Sequence, residues 1–262
     1  MPPARRTALQ LWIDPTPRPG WLNMAIDSAL LERAERGERW LRLYAWEPCL
    51  SFGRHEPARR RYDADRIAFL GLCVVRRPTG GRAVWHSREL TYAVTAPSNG
   101  FGSLRAAHTT IHLVLLDALR ALGAAAELAP ARAAVPVDGG ACFAAPSGGE
   151  LVVAGRKVVG SAQLRSTGAL LQHGSLLLHD DQRMVGAVTL GGAPPDGSAP
   201  LSRILGRPVE WGEAARAVVE AADRTWGVAD AARTSGMVVD RALALADRYR
   251  SAAWTWSGTT SR

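Results

Sequence analysis

Of the 32 basic residues in this 262-residue chain, only Lys157 is a lysine; the others are arginines. Arginine serves wherever a fixed surface charge suffices, so the retained lysine points to lysine chemistry. Its compact ammonium has a tunable pKa and is not exchangeable with a planar, permanently protonated guanidinium at a reacting centre. Lys157 sits in Gly155-Arg156-Lys157-Val158-Val159-Gly160-Ser161-Ala162-Gln163. Strand alternation there puts Lys157, Val159, Ser161 and Gln163 on one face, and the Gly160-Ser161-Ala162 run leaves space for a ligand. A second segment, Arg76-Arg77-Pro78-Thr79-Gly80-Gly81-Arg82-Ala83-Val84-Trp85-His86, follows an apolar run. Its paired glycines let the backbone approach a ligand closely, and the arginines beside them suit an anionic or carbonyl group. A plain hairpin with solvated arginines is the alternative. A third segment, Leu171-Gln172-His173-Gly174-Ser175-Leu176, is a polar patch in an apolar strand. His173 there is either a substrate contact or a hydrogen-bonded core histidine.

Cys49, Cys73 and Cys142 are odd in number, widely spaced and without a C-x-x-C pair. That argues against a disulfide framework or a thiolate metal site, and no metal is expected. Cys49 and Cys73 lie in apolar runs, where cysteine behaves as a small buried hydrophobe. Cys142 instead falls in the Ala-, Pro- and Gly-rich stretch from Pro130 to Gly149, a loop long enough in a compact domain to be functional or mobile.

The net charge of +8 and the pI near 10.3 suggest an acidic partner. Nucleic acid is not the expected one, because no helix-turn-helix or aromatic-basic interleaving is present. The most apolar long stretch, Ile111 to Leu128, is broken by Asp117, Arg120 and Glu127, so no membrane span is expected. The opening MPPARRTALQLW lacks the apolar core of a secretory signal, which suggests a cytoplasmic protein.

These residues need elements to hold them. Leu22, Ile26, Ala29 and Leu30 recur at helical spacing through Glu38. Strand-like runs follow at Trp40–Trp46 and Leu50–Gly53, then a short helix near Asp63–Leu70, an apolar run Leu72–Val75, and strands at Ala83–His86 and Leu90–Thr95. Leu104–Leu122 carries one apolar stripe, which predicts a helix packed on a sheet and ended by Gly123. Glu150–Ala154, Lys157–Leu164 and Ala169–Leu178 read as a three-stranded antiparallel meander. Gly191–Pro200 reads as a linker, with helices at Trp211–Trp226 and Met237–Tyr249. The expected class is α+β, a mainly antiparallel sheet flanked by helices, with a catalytic domain over 1–205 and a short helical C-terminal appendage over 206–262.

The three segments, in this order after Leu22-Asn23-Met24-Ala25-Ile26-Asp27-Ser28-Ala29-Leu30-Leu31, resemble the biotin/lipoate ligase superfamily, and within it the lipoate–protein ligase A and octanoyltransferase family. The resemblance runs from about Trp12 to Leu178, with Tyr249-Arg250-Ser251 and Trp254 similar to the family's tail. It implies an acyl tunnel walled by the Gly-Gly segment and the lysine strand, contacted by Arg77, Gly80, Gly81, His86, Gly160, Ser161, Ala162, His173 and Gly174. Ala141-Cys142-Phe143 is similar to the nucleophile loop of octanoyltransferases, which implies Cys142 as acyl acceptor, activated by Lys157. The implied reaction moves an octanoyl group from acyl carrier protein to the lysine of a lipoyl domain such as glycine cleavage H protein. No cofactor is implied; an ATP- and Mg-dependent lipoate ligase is the alternative. The sequence departs from the family at Ser87, where an aspartate is frequent, and at Arg82, where ligases carry a third glycine.

Overall fold

The computed structural model describes residues 8–130, 149–192 and 197–259. Strand β1 (Leu9–Arg18) runs into helix α1 (Gly20–Glu35), then β2 (Trp40–Trp46), β3 (Cys49–Phe52), α2 (Ala58–Arg61), α3 (Ala64–Phe69) and β4 (Cys73–Arg76). β5 (Val84–His86) and β6 (Glu89–Pro97) precede α4 (Leu104–Ala121) and β7 (Ala126–Leu128). Next come β8 (Leu151–Val153), β9 (Arg156–Lys157), β10 (Val159–Arg165), β11 (Ala169–Leu177), α5 (Arg183–Ala187) and α6 (Leu201–Leu205). The last elements are α7 (Trp211–Trp226), β12 (Val228–Asp230), α8 (Ala232–Arg250) and α9 (Ala252–Ser257).

The α+β class holds, but the main sheet is mixed. Its order is β10-β11-β6-β2-β1-β12, with β1 parallel to both β2 and β12 and the other neighbours antiparallel. Period-2 alternation sends Leu41, Leu43, Tyr92 and Val94 to the face covered by α4 and α7. Trp40, Tyr44 and Ala93 go to the other face, under α1 and α8. With both faces covered, β2 and β11 are buried along their whole length. Residues beyond 205 thus add a strand to the main sheet and a helix to each of its faces.

Two smaller sheets complete the frame: β4-β3-β5, in which β3 and β4 are parallel, and β7-β8-β9. The second alters the expected meander. β8 pairs with β7 on one side and with β9 on the other, whereas β10 and β11 join the main sheet. Val158 marks the switch: its N–H donates to Leu151 of the small sheet, and its carbonyl accepts from Leu177 of the main sheet. Among the described residues, no helix is long and apolar enough to cross a membrane.

Candidate active site

A small cleft opens where β10 and β11 meet the Gly-Gly turn. Arg77, His86, Gly160, Ser161, Ala162, His173 and Gly174 line it, together with Tyr44, Trp46, Val84, Thr91 and Ser175. The β10–β11 register creates this wall by setting Ser161 opposite Gly174 and Ala162 opposite His173. Gly174 has to be glycine: a Cβ there would lie 2.5 Å from the Gly160 carbonyl and 2.9 Å from Ser161 Oγ. Gly81, at φ +89°, borders the same space, since a Cβ on it would stand 3.3 Å from Arg77 Nη2 and 4.0 Å from Ala162 Cβ. Gly80 contributes its carbonyl, which accepts from Arg77.

The paired arginines hold backbone carbonyls of their own chain. Arg76 is buried and donates to the carbonyls of Gly53, Arg54, Glu56, Trp254 and Thr255, tying α9 beneath the turn. Arg77 donates to the Gly80 and Arg82 carbonyls, closing the turn from inside, and to Ser51 through both its carbonyl and its Oγ. Arg77 therefore faces the cavity as the clasp of the turn.

His86 is buried and stacked on Trp46, with ring centroids 3.9 Å apart. Its Nδ1 lies 2.7 Å from Glu89 Oε1 and its Nε2 2.6 Å from Ser51 Oγ. Because Arg77 already donates to Ser51 Oγ, the serine proton goes to His86 Nε2, and Nδ1–H donates to Glu89. Burial lowers the His86 pKa more than Glu89 raises it, so the ring is neutral at pH 7. Ser175 and Thr91 also donate to Glu89 Oε1.

His173 is held from the opposite side. Its Nδ1 is 2.8 Å from Asp27 Oδ2 on α1, and its Nε2 is 2.7 Å from Thr79 Oγ1 in the turn. Asp27 also accepts from Tyr44 OH and from buried Arg42, which reaches Asp14 and Asn23 as well. A buried carboxylate paired in this way is compensated, and it fixes the imidazole in one orientation.

Lys157 is buried on β9, in the small sheet, and does not line the cavity; its Nζ donates to Glu150 Oε1 at 2.6 Å. The expected alternation from Lys157 to Gln163 is therefore interrupted at Val158. Two histidines of α4 lie within electrostatic reach of that ammonium: half-buried His108 and fully buried His112, whose rings are 3.8 Å apart. Burial lowers both pKa values, that of His112 to about 3. His112 links the lysine region to the cavity, with Nδ1 2.7 Å from the Gly149 carbonyl and Nε2 2.9 Å from Ser161 Oγ. Cys142 lies outside the described residues. Cys49 is buried, as its apolar neighbours imply, and burial raises its thiol pKa far above neutrality. Cys73 is exposed instead, because it opens β4 at the edge of its small sheet. Among the described residues, no cluster of three His, Cys, Asp or Glu side chains could hold a metal ion.

Sequence reasoning missed Asp27, Glu89, Tyr92, His112, Glu150 and Gln172. Two of these left a signal. Asp27 is a charge inside the apolar run of α1, and His112 interrupts the apolar stripe of α4.

Comparison with known proteins gives this geometry its context. The octanoyltransferase LipM of Kyrpidia tusciae is 43% identical over 178 residues, covering 63% of this chain and 65% of that protein. The octanoyltransferase LipM of Symbiobacterium thermophilum is 37% identical over 248 residues, covering 87% of this chain and 89% of that protein. The matched stretch thus spans just under two thirds of the first relative and most of the second. Protein Ta0514 of T. acidophilum with bound lipoic acid superposes with a TM-score of 0.77 at 22% identity, covering 95% of this chain and 100% of that one, a likeness of fold. The model of the lipoyl protein ligase A/B catalytic domain matches residues 19–223, and the chain belongs to that family.

Proposed function

We propose that this protein is an octanoyltransferase acting in protein lipoylation. It takes an octanoyl group from acyl carrier protein and passes it, through a thioester on Cys142, to the lysine of a lipoyl domain such as that of glycine cleavage H protein. The observation that carries this reading is the cavity between the Gly-Gly turn and the β10–β11 wall. Its histidine, serine, threonine and arginine side chains spend their hydrogens on protein partners, which leaves a space suited to an acyl chain. The two relatives named octanoyltransferase, at 43% and 37% identity, support the same reaction.

Cys142 as thiolate attacks the carrier thioester and expels the carrier thiol; the acceptor amine then forms the amide as the Cys142 sulfur leaves. Lys157 favours the thiolate through its positive charge, while Glu150 holds its ammonium in place. Arg77, Gly80, Gly81, His86, Gly160, Ser161, Ala162, His173 and Gly174 form the acyl site. Activation resides in the thioester, so neither ATP nor Mg takes part, and the setting is the cytoplasm. Purified protein mixed with octanoyl-acyl carrier protein, without nucleotide, is expected to gain one octanoyl group by intact mass, and Cys142→Ala none. An equal adduct on the variant, or none until ATP and Mg are added, would overturn the proposal.

A further inference from the structure

Behind the cavity runs a buried chain of hydrogen bonds whose direction can be read from its ends. The Gly149 carbonyl can only accept, so His112 donates to it from Nδ1 at 2.7 Å. His112 is buried without a carboxylate on either nitrogen, so the ring is neutral and Nε2 accepts. The group 2.9 Å from that nitrogen is Ser161 Oγ, which must supply its proton. Tyr92 OH, 2.8 Å from Ser161 Oγ, must then donate to the serine, and it accepts in turn from Gln172 Nε2 at 2.9 Å. Gln172 is fixed in that orientation because its Oε1 accepts from Gln163 Nε2 at 2.8 Å.

The consequence falls on Ser161, a half-buried hydroxyl of the cavity wall. It has given its hydrogen to His112 and taken one from Tyr92, so what it turns to a ligand is a lone pair. An acyl carbonyl, itself only an acceptor, gains nothing from that lone pair; an N–H does. Building on the octanoyltransferase reading above, we propose that Ser161 is the acceptor that receives an N–H of the incoming lysine amine, and that His112 is the positioning residue that fixes its polarity. In the second half-reaction the amine nitrogen bonds the acyl carbon, the C–S bond breaks, and the amine's proton passes to the departing sulfur. Ser161 exchanges no proton and holds the second N–H, aiming the nitrogen lone pair at the carbonyl. Charging of the enzyme by the carrier thioester involves no amine and makes no use of this contact.

Single-turnover assays that separate the half-reactions test this. Ser161→Ala is expected to slow discharge to a lipoyl domain roughly tenfold more than it slows charging from octanoyl-acyl carrier protein, the loss of one aligned hydrogen bond. Saturation with lipoyl domain should leave the defect in place, because it lies in the rate of the step and not in docking. His112→Phe frees the serine to turn its hydrogen toward the cavity and is expected to show the same selective defect. Equal slowing of both half-reactions, or unchanged discharge in both variants, would overturn the role of Ser161. A wild-type protein that never charges would instead overturn the octanoyltransferase reading.

Discussion

Three buried imidazoles surround the candidate site, and each has both nitrogens engaged: His86 by Glu89 and Ser51, His173 by Asp27 and Thr79, His112 by Gly149 and Ser161. Such rings keep fixed orientations, and where burial outweighs any anionic partner they resist protonation. For His112 the linkage has a definite sign. Its folded-state pKa of about 3 lies below the ~6.5 of an unfolded histidine, so the unfolded chain binds more protons throughout that window. Stability is complete above the unfolded value and falls by about 1.4 kcal/mol per pH unit as the pH drops below ~6.5. His86 and His108 act in the same direction. The loss of stability between pH 7 and pH 5 should therefore be smaller by about 2 kcal/mol in His112→Phe than in the wild type, read from urea midpoints. Identical losses would mean that His112 is not a neutral buried ring. Of these three rings, the sequence pattern exposed the two beside glycine motifs, His86 and His173. His112 stayed hidden because a single polar residue in an otherwise apolar helix is ordinary, and its partners come from a distant turn and a distant strand.

Elements that close locally were the readable ones. β2 and α7 match their expected bounds, and α4 ends one residue short of its expected limit at Leu122. β1 escaped because Pro15 and Pro17 mask its pattern, its register shifts between Asp14 and Arg18, and its partners are parallel strands reached through long connections. The switch at Val158 was equally invisible, since alternation continues through it while the pairing partner changes. Glycine motifs show the limit of reading conformation from composition. At Gly80 a Cβ would meet no heavy atom within 4 Å and the φ is not positive, whereas Gly174 is closed in on three sides by Gly160, Tyr92 and Ser161. Gly174→Ala should cost about 1–3 kcal/mol by overpacking, and Gly80→Ala less than about 0.5 kcal/mol. Chemical denaturation of the two variants decides; a costly Gly80→Ala with a neutral Gly174→Ala would mean that the β10–β11 wall is not packed as described.

At the scale of the whole molecule the dominant feature is charge, 32 basic against 24 acidic side chains. Several arginines are committed internally: Arg42, Arg76 and Arg77 are buried in the frame of the site. Exposed guanidiniums such as Arg88, Arg183, Arg203, Arg207 and Arg241 pair with carboxylates, and such surface pairs are worth little to stability. The excess of +8 therefore acts through its long-range field and not through the fold. If donor and acceptor are acidic carrier domains, that field raises encounter rates while leaving the chemistry inside the cavity untouched. Screening lengths shrink from about 30 Å at 0.01 M salt to about 8 Å at 0.15 M, so steering should fade across that range. For octanoyl-acyl carrier protein, kcat/KM should fall roughly tenfold between those salt concentrations with kcat nearly constant, and octanoyl-pantetheine, which is uncharged, should show almost no change. A parallel decline for both donors would place the salt effect on the protein itself, and a flat response for the carrier would mean that the positive charge serves some other encounter.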